Sequence, residues 1–142
     1  MTVYVAWIRS TKELSKEQKR VVPIFKELYG KLLKEMHIRR EIPLLLVDEK
    51  SWNNKKGLNM NPKSVAHYNE GIQFGKGTPF EAVLLREAVL YWDDAHTVIP
   101  RLLRHELVHA KIRKEEKGDS THAEPFMKLA KKYKGVALPK DY

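Results

Sequence analysis

Residues 105–109 read HELVH: two histidines four positions apart, with a glutamate directly after the first. On a helix each residue turns by about 100°, so positions i and i+4 project only about 40° apart. His105 and His109 then stand one turn apart on one face, where two imidazoles reach the same cation. Glu106 falls about 60° round from His109, within reach of a water on that cation rather than of the cation itself. Leu103, Leu107 and Ala110 take the opposite side and suit a core. The chemistry such a division serves is metal-assisted hydrolysis, with two ligands in place and a carboxylate to take a proton from the attacking water.

A chain with this histidine and glutamate content contains HExxH by chance roughly once in fifty, so the motif gains meaning only with a third ligand. There is no cysteine, which excludes disulfides, thiolate sites and a cysteine nucleophile and leaves histidine and carboxylate as donors. Asp119, His122 and Glu124 are the downstream candidates. His122 lies thirteen residues past His109, after the helix stop expected at Gly118 and just before a helix beginning at "AEPF". A chain that leaves one helix and re-enters another there swings His122 back over the histidine pair, with Phe126 anchoring the new helix. Glu124 serves equally well as a partner for that helix N-terminus. His122 is therefore the expected third ligand. His37, His67 and His96 read as surface or packing histidines.

Periodicity outlines the elements that must position these groups. Residues 15–36 place Val21, Phe25, Leu28, Leu32 and Met36 at helical spacing, with Pro23 either opening the main helix or kinking it. "PLLLVDEK", residues 43–50, reads as a buried strand, and 51–63 as a polar loop. "SVAHY" and "GIQFG" flank Asn69-Glu70-Gly71, a hairpin-turn signature. "TPFE" at 78–81 has the layout of a capping box, which predicts a short helix to about Arg86 and then a strand over 88–92. Asp93, Asp94 and Thr97 are cap candidates for the helix "VIPRLLRHELVHAKIRKEEK", with Pro100 in its first turn. A last helix, "AEPFMKLAKKYK", closes at Gly135. The order predicts an α+β domain: a short mixed or antiparallel sheet packed with an N-terminal helix, the HELVH helix and a C-terminal helix.

At 142 residues, 42% apolar and 32% charged, the chain reads as one soluble globular domain. No apolar run is long enough for a bilayer, and "MTVYVAWIRSTKELSKEQ" lacks the layout of a secretory signal. An intracellular protein without a membrane partner is expected. The net charge is +9. Residues 1–60 carry 13 Lys+Arg against 7 Asp+Glu, residues 61–110 carry 5 against 6, and residues 111–142 carry 9 against 5. The HELVH region is thus near neutral between basic flanks, a distribution that favours a polyanion such as nucleic acid. Lys128, Lys131 and Lys132 on one face of the last helix, with Arg113 and Lys114, are the candidate nucleic-acid contacts, against the plainer reading of a solvated basic face.

"RHELVHA", the thirteen-residue step to a third histidine, and "HAEPF" together resemble the SprT-like (Spartan-type) zinc metallopeptidases. "ELYGKLLKEMHIRREIPLLLVDEKSW" is similar to the helix-then-strand opening of that family, and "EAVLYW" to the strand before its metal helix. The resemblance runs from about residue 21 to 134, with HELVH and HAEPF as its specific parts. It implies one zincin-like metallopeptidase domain over residues 1–142, with Zn2+ on His105, His109 and His122 and Glu106 as general base. It further implies protein or peptide substrates, DNA-bound or DNA-crosslinked proteins among them. Ala123 stands where the family usually has glycine, and without cysteine there is no zinc ribbon, so any DNA contact falls to the basic flanks.

On that reading Glu106 takes the proton of a zinc-activated water as it attacks the scissile carbonyl, and returns it to the leaving amine. Tyr68, Tyr91, His67 and His96 are the candidate second donors to the oxyanion, and the strand near 88–92 is placed to hold a peptide by strand addition. Two other readings compete: a basic nucleic-acid-binding protein with a structural or vestigial zinc site, and a zinc hydrolase acting on another bond. An intact Glu106 weighs against the first, because a structural site needs no base and fills its fourth position with a protein ligand.

Overall fold

The computed structural model describes residues 2–58 and 60–112. His122, Arg113, Lys114, Lys128, Lys131 and Lys132 lie outside the described residues, as does the expected last helix.

The described chain is α+β. Four strands, β1 (Val5–Ile8), β2 (Leu44–Val47), β3 (Ala66–Ile72) and β4 (Phe80–Arg86), form a mixed sheet in the order β1-β2-β4-β3. β1, β2 and β4 run parallel, and β3 returns antiparallel on β4 as an edge strand. Three helices accompany them: α1 (Lys16–Glu35), α2 (Glu49–Trp52) and α3 (Ala95–Ile112). No described helix is long and apolar enough to cross a membrane.

Side-chain alternation divides the sheet into two faces. Val5, Trp7, Leu44, Leu46, Ala66, Tyr68, Val83 and Leu85 face α1 and α3 in the larger core. Leu45, Val47, Ile72, Ala82 and Leu84 face the other way and are covered by Trp52, with Leu58 and Met60 packed alongside. The continuous burial of β2 and of residues 82–85 in β4 follows from their interior places in a sheet covered on both sides.

α1 begins at a full capping box: Ser15 accepts from the Gln18 amide, and Gln18 accepts from the Ser15 amide. Its buried stripe is Phe25, Tyr29, Leu32 and Leu33, each worth about 1.5–3 kcal/mol on burial. The Tyr29 hydroxyl donates to the Ile42 carbonyl at 2.7 Å, which leaves no polar atom of that side chain stranded in the core. Pro23 does not open the helix but lies inside it, on the exposed face of α1.

The C-terminus of α1 closes in a Schellman arrangement: the Ile38 amide donates to the Leu33 carbonyl at 2.9 Å and the His37 amide to Lys34 at 3.1 Å. His37 takes the left-handed position this requires, at φ 56°, and its side chain is exposed. An L-residue with a side chain is strained there by about 1–2 kcal/mol. His37→Gly is therefore expected to stabilise the protein by about 1 kcal/mol, raising the thermal midpoint by about 3–5 °C. Differential scanning calorimetry of the two proteins checks this, and an unchanged or lower midpoint contradicts it.

Three local expectations fail, each for a physical reason. Residues 80–91 reverse the expected order: Phe80–Arg86 is strand β4, and Glu87–Tyr91 is a 3-10 turn. Glu81 does not close a capping box but pairs with Arg40 and Tyr68 across the sheet. Asn69-Glu70-Gly71 is not the hairpin turn. The Asn69 side chain does accept from the Gly71 amide at 2.9 Å, but this bond forms a bulge within β3, where the register on β4 shifts. The reversal comes later, at Gly75 (φ 56°) and at the bond from the Gly77 amide to the Phe74 carbonyl. Finally, α3 starts at Ala95 because the Asp94 carbonyl already accepts from the Thr97 and Val98 amides. Pro100 therefore lies in the second turn rather than the first.

Asp48 ties the exits of two strands together. Its carboxylate accepts from the Ser10 amide at 2.7 Å and hydroxyl at 2.9 Å, and caps α2 through the Ser51 amide at 2.9 Å. Burial alone would raise its pKa, but the bonds from Ser51 and Ser10 outweigh it and hold the carboxyl below its ordinary range.

Candidate metal centre

α3 carries HELVH through the middle of the larger core. Leu102, Leu103, Leu107, Val108 and Ala110 are completely buried, as the apolar side of the helix requires. The opposite side is also buried: His105 is 7% and Glu106 6% exposed, with His109 half-buried. Apolar periodicity marks the side that faces the core but carries no signal that a second layer covers the polar side.

The two histidines converge as their spacing requires. Their ring centroids are 5.1 Å apart and the rings are nearly perpendicular, at 77°. Glu106 stands beside them, with Oε2 3.9 Å from His105 Nε2. Its other oxygen, Oε1, accepts a hydrogen bond of 2.9 Å from the Tyr68 backbone amide. That amide belongs to β3. The Arg86 amide donates to the Val65 carbonyl, and the register pairs Ala66 with Leu85 and Tyr68 with Val83. Val65 and His67 therefore bond inward to β4, while the backbone of Ala66 and Tyr68 points out from the sheet edge. Glu106 occupies one of these outward positions.

A polar chain behind Glu106 fixes α3 to the sheet. The Tyr68 hydroxyl donates to Glu81 Oε1 at 2.8 Å. Arg40 grips the same carboxylate with two nitrogens, at 2.7 and 3.1 Å, and also donates to the Ala110 carbonyl, one residue beyond His109. Lys111 adds a bond to the Met36 carbonyl at 2.9 Å, joining the end of α3 to the end of α1. Nothing local in the sequence marks Arg40 or Glu81, since their partners lie 41 and 70 residues away along the chain for Arg40 and 13 away for the Tyr68–Glu81 bond.

The donor set fits a zinc ion as far as it is described. Two imidazoles one turn apart on a rigid, buried helix are the borderline nitrogen ligands zinc takes, and a carboxylate stands next to them. Among the described residues no third histidine, aspartate or glutamate completes a ligand group with them, and His122, the expected third, lies outside those residues.

Of the four candidate oxyanion donors, only Tyr68 is brought to Glu106, and it arrives through its amide while its hydroxyl serves Glu81. His67 alternates to the other face of β3 and is exposed. Tyr91 and His96 line a cavity of about 420 Å³ with Trp7, Ile24 and Leu28, between α1 and the start of α3; no residue of HELVH lines it. The strand expected to flank the HELVH helix at 88–92 is not formed, since 87–91 is the 3-10 turn; β3 lies beside the helix instead. Comparison with known proteins finds no matching family model, no matching curated protein and no matching solved structure.

Proposed function

We propose that this protein is a zinc-dependent endopeptidase with a zincin-like fold of the SprT-like kind, and that DNA-bound or DNA-crosslinked proteins are among its substrates. The observation that carries the reading is the placement of Glu106. A buried carboxylate next to two converging histidines, with one oxygen fixed by a backbone amide, is what a general base requires and what a structural zinc site has no use for.

His105, His109 and His122 would hold the ion. Zinc, when bound, would supply the Lewis acidity that makes water a nucleophile at neutral pH. Glu106 takes the proton of the attacking water and delivers it to the leaving amine, and the Tyr68 amide holds the carboxylate in one orientation throughout. Peptide substrates, rather than another hydrolysable bond, are favoured by the adjacent sheet edge: with the Tyr68 amide engaged by Glu106, the backbone of Ala66 and the Tyr68 carbonyl still point outward, where an extended chain can pair beside Glu106.

Proteolysis of an unfolded substrate such as casein tests the proposal. Chelation should abolish cleavage, and added zinc but not magnesium should restore it. Cleavage that survives exhaustive chelation contradicts it.

A further inference from the structure

From Lys50 to Asn69 the sequence has no acidic residue, yet Lys50, Lys55, Lys56 and Lys63 all fall there. All four are exposed, and among the described residues none of them forms an ion pair. The charged face of α1 differs in kind: there Arg20 pairs with Glu17, Lys31 with Glu27, and Arg104 reaches over from α3 to Glu35. α1 carries both signs and pairs some of them. Residues 50–69 carry only positive charge of their own, with Glu13, Asp48, Glu49 and Glu87 around Lys50 where the stretch begins.

The described residues of the lysine-bearing segment are also tied down at several points. Trp52 is fully buried and its indole nitrogen donates to the Asn61 carbonyl at 3.2 Å. Arg86 donates to the Pro62 and Ser64 carbonyls at 2.9 and 3.3 Å. Asn54 and Asn61 each start a turn by accepting from the amide two residues on, at 3.1 Å from Lys56 and 2.9 Å from Lys63. Leu58 and Met60 point inward onto the second core. What remains outside is four ammonium groups and asparagine amides on a held backbone, so little backbone entropy is lost when a ligand binds there.

We propose that Lys50 of α2 and the lysines of the following loop, Lys55, Lys56 and Lys63, form a docking surface for a nucleic-acid backbone, contacting phosphates irrespective of base sequence. A membrane fits less well, because interfacial binding needs apolar side chains to insert and those of this loop are turned inward. The loop packs on the sheet face opposite α1 and α3, so a polyanion held there lies across the sheet from Glu106. This inference stands without the metal centre: loss of zinc binding leaves it intact, and loss of DNA binding leaves the hydrolytic reading intact.

The test is fluorescence anisotropy of the full chain against a labelled DNA duplex of arbitrary sequence over a range of salt. Three proteins are compared: wild type, Lys50→Ser/Lys55→Ser/Lys56→Ser/Lys63→Ser, and Lys128→Gln/Lys131→Gln/Lys132→Gln. The loop variant should keep its circular dichroism spectrum and thermal midpoint, since all four side chains are exposed. It should bind on the order of 10²-fold more weakly at low salt, with a log–log salt slope shallower by about 3 to 4. Wild type that ignores the duplex, a loop variant that binds it with unchanged affinity and slope, or a loss confined to the Lys128 variant overturns the assignment. So does loop-dependent binding to phosphatidylserine vesicles in place of the duplex.

Discussion

Replacing Glu106 with glutamine is expected to lower peptide-bond hydrolysis by about 10²- to 10⁴-fold while zinc content and thermal stability stay at wild-type values. Glutamine matches glutamate in size, and its amide oxygen can still accept from the Tyr68 amide, so the contact that anchors the side chain to β3 survives. What it loses is the ability to take a proton. The loss should therefore appear in kcat with little change in KM. Elemental analysis beside the kinetics separates the roles. Retained zinc with lost turnover identifies a base; zinc lost together with activity makes Glu106 a ligand; unchanged turnover removes it from the chemistry.

Arg40→Met should destabilise the protein by about 2 kcal/mol, below the ~3–5 kcal/mol of a fully buried broken pair because the Arg40 side chain is 40% exposed. The substitution leaves the Glu81 carboxylate, only 11% exposed, without its guanidinium, and the Ala110 carbonyl without that donor. Arg40→Met/Glu81→Gln should recover part of the loss, since the neutral amide no longer needs a cation and still accepts from Tyr68. Urea denaturation measures both, with a shift in midpoint at constant slope. An Arg40→Met variant as stable as wild type, or a double variant no more stable than Arg40→Met, contradicts the coupling. Because Ala110 follows His109, a loosened α3 should also hold zinc less tightly.

The elements read correctly from sequence are those whose signal is local and agrees with their surroundings. α1 shows its stripe from Val21 to Met36 within its own residues. β2 is an uninterrupted apolar run because both its faces are covered. HELVH is recognisable because the helical repeat alone brings its histidines together. The failures occur where a local pattern is outweighed by a distant partner. "TPFE" has the letters of a helix start, but Glu81 is claimed by Arg40 from another part of the chain, and the apolar residues after it fill the gap between β2 and β3. Asn69 does make the turn-like bond its type favours, yet pairing with β4 on both sides absorbs it as a bulge. The contact between Glu106 and the Tyr68 amide had no signal at all, since any residue supplies an amide and only the fold brings this one to the carboxylate. The four lysines of residues 50–63 were countable from the start. Their meaning depends on the anchoring by Trp52 and Arg86, which composition does not contain.

The central claim is that three histidines, two on α3 and one beyond it, hold a zinc ion beside Glu106. Bound zinc per chain, measured by elemental analysis on wild type and on His122→Ala after reconstitution and desalting, tests it most directly. The account predicts about one zinc in the wild type and a sharply lower content in the variant. No zinc in the wild type, or the same content in both proteins, would contradict it.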